Sequence, residues 1–183
     1  LWDEIQQAHM DDWQTQWVPA RRQLMQDFEE QGVPKSEWPQ SRHWNWERKA
    51  GEAEGVLGLR TFSVVAQGVT QGLMRVKLTG SAKSPEQRGA AMVYVDFLET
   101  APWNWPAPFR APRLKGVGLM LMTAAVTLSL EEGFKGRIGL HSLPQSKPFY
   151  ETRCGMTDLS SDPDYENLTY FEMTPAIADA FLR

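Results

Sequence analysis

The sequence predicts a mixed α/β fold of the α+β kind, a central mostly antiparallel sheet with helices on both faces. Three observations carry that expectation. Three strand-like runs between residues 57 and 98 are joined by short turns, an apolar helix begins at Val117, and further strands and helices alternate after it.

Taken in order, residues Trp13 to Gln31 place Trp17, Leu24, Met25 and Phe28 at near-helical spacing and end at Gly32 and Pro34, so an amphipathic helix is expected there. Residues 34 to 55 hold Pro34, Pro39, the tryptophan-rich patch from Arg42 to Trp46, and Gly51 and Gly55, which suit irregular chain or a short helix leading into the sheet. Six of the eight tryptophans precede residue 47. On an acidic background that density reads as a layer packed on the main body rather than as a platform for stacking nucleotides. Leu57 to Ala66, Gly72 to Leu78 and Ala91 to Leu98 are strand candidates, and the turns at Gly68 to Gly72 and Gly80 to Gly89 are short enough for antiparallel neighbours. Four prolines between Ala101 and Pro112 forbid regular structure and stiffen a loop. Val117 to Glu132 is a helix apolar nearly all round and capped by Gly133, which implies burial against the sheet and another layer. Arg137 to Leu143 is a further strand, Ser146 to Arg153 a short helix, Asn167 to Met173 a last strand and Pro175 to Leu182 a terminal helix.

The 183 residues, 42% apolar and 23% charged, suit one domain with a helical, Trp-rich N-terminal elaboration over residues 1–55 and a core over 56–183. The single cysteine, Cys154, cannot form an intramolecular disulfide, and no paired Cys/His spacing suits a structural zinc, so no metal is expected and a reducing cytoplasm is the natural compartment. The apolar run from Leu119 to Leu130 is too short to span a membrane, and the first residues lack the pattern of a signal peptide. Residues 1 to 55 hold 11 acidic and 6 basic side chains, whereas residues 110 to 153 hold 3 acidic and 7 basic. That imbalance suits a polyanionic cofactor near the basic segment, unless the cations merely form a solvated face, and it argues against a nucleic-acid partner.

Inside the basic segment, Arg113-Leu-Lys-Gly-Val-Gly118 lies between a strand and a helix. Free N–H groups at a helix start bind phosphate oxygens, glycines let the main chain come close, and Arg113 and Lys115 add charge. Two glycines alone are equally compatible with an ordinary turn. The spacings of a dinucleotide-binding strand-helix unit and of a nucleoside-triphosphate loop are both absent.

Arg113-x-x-Gly116-x-Gly118 resembles the acyl-CoA-binding motif of the GNAT superfamily of N-acyltransferases, and Phe149-Tyr150 followed by Gly155-Met156 resembles its downstream segment. The resemblance spans residues 56 to 173; residues 1 to 55 match no part of it, and the proline loop lengthens the usual link to the motif. It implies that the strands at 91 to 98 and 137 to 143, the family's fourth and fifth, splay apart. It further implies transfer of an acyl group, acetyl first, from acyl-CoA to a primary amine by direct attack. The pantetheine arm would pair with main chain at Leu98 to Thr100, with the thioester near Glu99. The backbone of Arg113, Leu114, Lys115, Gly116, Val117 and Gly118 would hold the pyrophosphate, and Ser146 and Phe149 would line the arm. Tyr150 matches the tyrosine that protonates the leaving thiolate.

A base for the amine is less sharply marked. Glu99 and Asp96 are the carboxylates nearest the expected thioester, and strand alternation puts them on opposite faces unless a bulge intervenes. His141 on the neighbouring strand, or water, are the other candidates, set against ordinary hydrogen-bonding roles for each side chain. Cys154 has no histidine beside it in sequence and reads as packing. The acceptor would be a small-molecule or protein amine framed by the N-terminal layer and the loop at 101 to 112. Acyl chain length, including an aminoacyl donor, stays open, and an exposed last strand would permit the homodimers common in the family. A different class also stays open: a GNAT-like module that binds CoA or a protein partner without turnover.

Overall fold

The computed structural model describes residues 1–105 and 111–183. Its centre is a six-stranded sheet built from β1 (Leu59–Ala66), β2 (Val69–Ser81), β3 (Ala91–Thr100), β4 (Ile138–Ser142), β5 (Thr157–Asp162) and β6 (Leu168–Met173), in the order β1-β2-β3-β4-β6-β5. Every pairing is antiparallel except β3 with β4. That one pair is short: Val93, Tyr94 and Val95 face Ile138, Gly139 and Leu140, and beyond Val95 the two strands part. The second half of β3 remains bonded to β2 alone, which opens a gap in the middle of the sheet.

Helices cover both faces. α1 (Gln7–Asp12) and α2 (Val18–Glu30) form one helix interrupted by a π turn at Trp13–Trp17, where the N–H of Val18 reaches back five residues to the Trp13 carbonyl. Pro19 explains the interruption: it lacks an N–H for the ladder, and a locally widened turn absorbs its ring. The helix begins six residues before the sequence pattern shows it, because Gln7 to Asp12 is polar and its only buried members are His9 and Met10. Asp12 Oδ2 accepts from the Thr70 backbone N–H at 2.7 Å and from its hydroxyl at 2.8 Å, and the Trp17 indole donates to the Thr70 carbonyl at 2.8 Å. These bonds pin the helix across the start of β2. α3 (Trp46–Gly51), capped by the Asn45 side chain, completes this layer.

The opposite face carries α4 (Val117–Glu131) and α5 (Pro175–Phe181). Here the core joins Val64, Met74, Val93, Val95, Ile138, Leu140 and Phe171 of the sheet to Leu121, Met122, Ala125 and Val126 of α4. The expectation that α4 is buried on every side is not met: Met120 is 47% and Leu130 49% exposed. One layer lies against α4, so its outer stripe meets water, where isolated apolar side chains are common. β5 is a strand that the sequence pattern does not reveal. Its residues Thr-Asp-Leu-Ser-Ser-Asp are mostly exposed, and an edge strand needs only main-chain pairing with β6 to form. The segment expected as a helix at 146 to 153 is helical but irregular: it opens with a 3-10 turn, Pro144–Ser146, passes through Lys147 and Pro148 in helical conformation and ends in a π turn, Phe149–Arg153. Of the proline loop, residues 106–110 lie outside the described residues.

Candidate functional site

The 113–118 turn enters α4 beside the opened end of β3. Gly116 is the N-cap of α4 with φ 86°, a left-handed conformation that glycine adopts without strain. The N–H of Arg113 donates to the Trp103 carbonyl at 3.1 Å and that of Leu114 to Asn104 Oδ1 at 2.9 Å. Those two groups are therefore anchors rather than open donors. The N–H groups of Lys115 and Gly116 have no partner among the described residues, and those of Val117 and Gly118 sit in the first turn of α4, where no intrahelical acceptor exists. Asn104 is itself held by Gln71, whose Oε1 accepts from Asn104 Nδ2 at 3.0 Å and from the Trp103 indole at 2.8 Å. Gln71 thus links β2 to the turn through Asn104. A buried amide in a strand rich in apolar residues is the signal that sequence reasoning passed over.

Phe149 faces Gly118 so closely that a Cβ at residue 118 would lie 3.0 Å from its ring. Ser146, half-buried, donates its N–H to Leu143 in the preceding turn. Tyr150 points into the core below α4, tilted against Phe171 at 6.1 Å, and burial, with Cys154 adding to it, raises the pKa of its phenol. Cys154 is buried, and burial pushes its thiol up to about 12 against a small opposing effect of Arg153. A thiol so held is inert as a nucleophile at neutral pH.

On the other face, β3 carries a bulge. Arg75 pairs with Phe97 while the next residue, Val76, pairs with Val95, so Asp96 is extra. The bulge cancels the alternation expected from the sequence: both Asp96 and Glu99 turn toward the α3 layer. Their surroundings differ. Asp96 is bound by Arg75 at 2.6 Å and Lys77 at 3.0 Å, and Arg75 also bonds Glu52 at 2.7 Å. Glu99 is 4% exposed, accepts the Trp46 indole at 2.6 Å through Oε2, and leaves Oε1 without a geometrically sound hydrogen bond. Burial pushes its carboxyl up to about 7, although Ser41, Trp46, Arg21 and Lys49 each favour the charged form.

Main chain at the end of β3 is partly open to the gap. Ala101 donates to Gln71, so ladder alternation turns Glu99 toward β2 and Leu98 and Thr100 toward the gap. The Thr100 carbonyl is already bound by the Trp105 indole at 2.8 Å, which leaves the Thr100 N–H and both groups of Leu98. Across the gap, Gln40 and Gln145 exchange two hydrogen bonds of 3.1 Å, joining the N-terminal layer to the turn after β4.

His141 is not part of this opening. Tyr94 Oη lies 2.8 Å from its Nδ1 and Asp162 Oδ2 3.0 Å from its Nε2, and Tyr165 stacks on the ring at 3.9 Å. Both nitrogens are engaged, and burial lowers its pKa against the pull of Asp162. A cavity of about 740 Å³ lies elsewhere, between the first ten residues, α3 and β1, and includes no residue of the turn or of β3. Among the described residues no group of His, Cys, Asp and Glu is arranged to hold a metal ion, and no helix is long and apolar enough to cross a membrane.

No protein-family model and no curated protein matches the sequence. In three dimensions the chain is similar to a PaiA N-acetyltransferase from Thermoplasma acidophilum in complex with coenzyme A, with a TM-score of 0.54 and 14% identity over 95% of this chain and 99% of that one. The architecture, a mostly antiparallel six-stranded sheet flanked by helices, is GNAT-like. A bacterial toxin aligns at a TM-score of 0.53 and 13% identity over 78% of this chain and 79% of its own. A tetramutant of the BH1408 protein from Bacillus halodurans aligns at 0.51 and 15% identity over 84% and 92%. Identities this low speak to the fold alone. In GNAT-fold terms, β3 and β4 are the two strands that part, and the 113–118 turn lies at the start of the helix joining them.

Proposed function

We propose that this protein transfers an acyl group, acetyl first, from acyl-CoA to a primary amine by direct attack. One observation carries the reading: a helix start with open N–H groups lies beside a β3 end whose main chain has no strand partner across the gap. The N–H groups of Lys115, Gly116, Val117 and Gly118, with the dipole of α4, suit a pyrophosphate, and Leu98 suits the amides of a pantetheine arm. Phe149 closes the site over Gly118.

Tyr150 and Glu99 lie on opposite faces of the sheet, and the gap between β3 and β4 is where a substrate could meet both. Glu99 suits the base, since a carboxyl near pKa 7 binds and releases a proton at working pH, and its Oε1 is left without a hydrogen-bond partner. Tyr150 suits the proton donor to the departing sulfur. Calorimetry with acetyl-CoA tests the cofactor: binding in the micromolar range supports the proposal, and no heat at millimolar acetyl-CoA removes it.

A second reading has its own support. Trp46 covers Glu99, and the Gln40 and Gln145 pair bridges the gap, a closure that suits a module binding CoA or a partner without turnover. An amine panel decides between them. CoA binding with no turnover on any amine favours the module, and turnover that falls in Tyr150→Phe with affinity kept favours the enzyme.

A further inference from the structure

Lys49 points inward from α3 and is 7% exposed, although a lysine on a short surface helix has every opportunity to reach water. Its ammonium lies 3.0 Å from the centre of the Phe97 ring and 5.0 Å from that of Trp44. Among the described residues it makes no hydrogen bond and no ion pair. The carboxylates nearby are committed elsewhere, Asp96 to Arg75 and Lys77, and Glu52 to Arg48 and Arg75. Arg75 adds repulsion. Two aromatic faces offset only part of the cost of burying a charge, so the ammonium is less favoured than in water, and burial lowers the pKa to about 8, which leaves a neutral fraction at neutral pH far above that of an exposed lysine. A neutral amine is a nucleophile and an ammonium is not.

The place matters as much as the charge state. Phe97, under the amine, directly precedes Leu98, whose main chain faces the gap, and Glu99 turns its unpartnered Oε1 into the same layer. Lys49 and Glu99 form no ion pair, and burial holds each of them toward its neutral form. Near pH 7 to 8 part of the Lys49 amine is neutral and part of Glu99 is carboxylate, so a nucleophile and a group that can take its proton lie in one layer, on the face of β3 that borders the opening.

Resting on the acyl-CoA reading above, we propose that Lys49 is itself an acyl acceptor, so that the chain acylates its own α3. In that step Nζ forms an amide bond to the acyl carbon as the carbon–sulfur bond breaks. The amine proton passes to Glu99, the sulfur leaves with a proton from Tyr150, and proton return from Glu99 to Tyr150 through solvent leaves one amide and one thiol. The acylated side chain is uncharged, relieves the repulsion with Arg75 and packs between Trp44 and Phe97, changing the wall that meets an external amine.

The full chain is incubated with acetyl-CoA, and acetyl groups are located by peptide mass spectrometry. Lys49 is expected to gain one acetyl group on the order of tenfold faster than exposed Lys35, Lys115 and Lys135, since far more of its amine is neutral at pH 7. Its rate rises through about pH 8 and then levels, whereas exposed lysines keep gaining toward about pH 10.4. Lys49→Arg loses the label, urea-unfolded chain loses the preference, and the acetylated chain melts higher than the unmodified one. Acetyl-CoA binding by calorimetry with Lys49 unmodified, or labelled no faster than the exposed lysines, overturns this inference and leaves the cofactor reading standing. No binding at millimolar acetyl-CoA removes both.

Discussion

The two faces of the sheet are packed by different chemistry. Under α4 and α5 the core is mainly aliphatic, with Phe62, Tyr150 and Phe171 as its buried aromatic members, and it is assembled from strands and helices whose hydrophobic pattern is plain. Under α1 to α3 the core is made of Trp13, Trp17, Trp46 and Trp103, and the same layer encloses Lys49, Arg75 and Glu99. The first face gains from area removed from water and depends little on pH. The second holds ionisable groups away from water, so it couples folding to protonation and brings reactive groups together. The gap between β3 and β4 is where the two meet.

The contrast can be broken most severely at Glu99. Glu99→Gln is expected to lower acyl transfer about 10² to 10⁴-fold and to abolish a rise of kcat/KM through about pH 7, measured in steady-state assays. Its folded pKa stands above the model-compound value of 4.5, so the native state holds the extra proton. Stability from this group is full below pH 4.5 and falls as pH rises to about 7; Glu99→Gln should flatten that decline in urea melts. Next in size, Asp96→Ala leaves Arg75 short of a partner in a buried setting and should cost about 3–5 kcal/mol in denaturant unfolding. Lys49→Met should act in the opposite direction, raising stability by roughly 1–4 kcal/mol at pH 7. The sign follows from its depressed pKa. The native state binds fewer protons than the unfolded chain between about pH 8 and 10.5, so the parent recovers stability as pH rises through that window and the advantage of Met shrinks. Smallest of all, Leu121→Met on the α4 face keeps volume in a core without charges and should change stability by less than about 1.5 kcal/mol at every pH tested. A strong pH dependence in that last variant would dissolve the distinction between the faces.

Legibility in the sequence followed the same division. β1, β2 and β3 were readable because their apolar and β-branched residues concentrate or alternate between turn residues, and α4 because a long apolar run is closed by Gly133. β5 was not, since an edge strand of Thr, Ser and Asp carries no buried face to imprint a period. The motif at 113 to 118 could be placed at a helix start, but which of its N–H groups are open depends on Gln71 and Asn104, separated from one another by 33 positions. Glu99 could be nominated from its neighbourhood, yet its burial comes from Trp46, 53 positions away. Lys49 gave no signal, because a lysine in a short polar helix is ordinarily solvated.

By itself the sequence determined the mixed α/β class, most of the element order and the anion-compatible turn before α4, all of which rest on local periodicity, turn residues and helix-end chemistry. Tertiary structure decided the parting of β3 and β4, the bulge that brings Asp96 and Glu99 to one face, and the burial of Lys49. Those outcomes depend on pairing and packing between distant segments. The free energy of a buried charge is set by everything that surrounds it, and no run of neighbouring residues states what that will be.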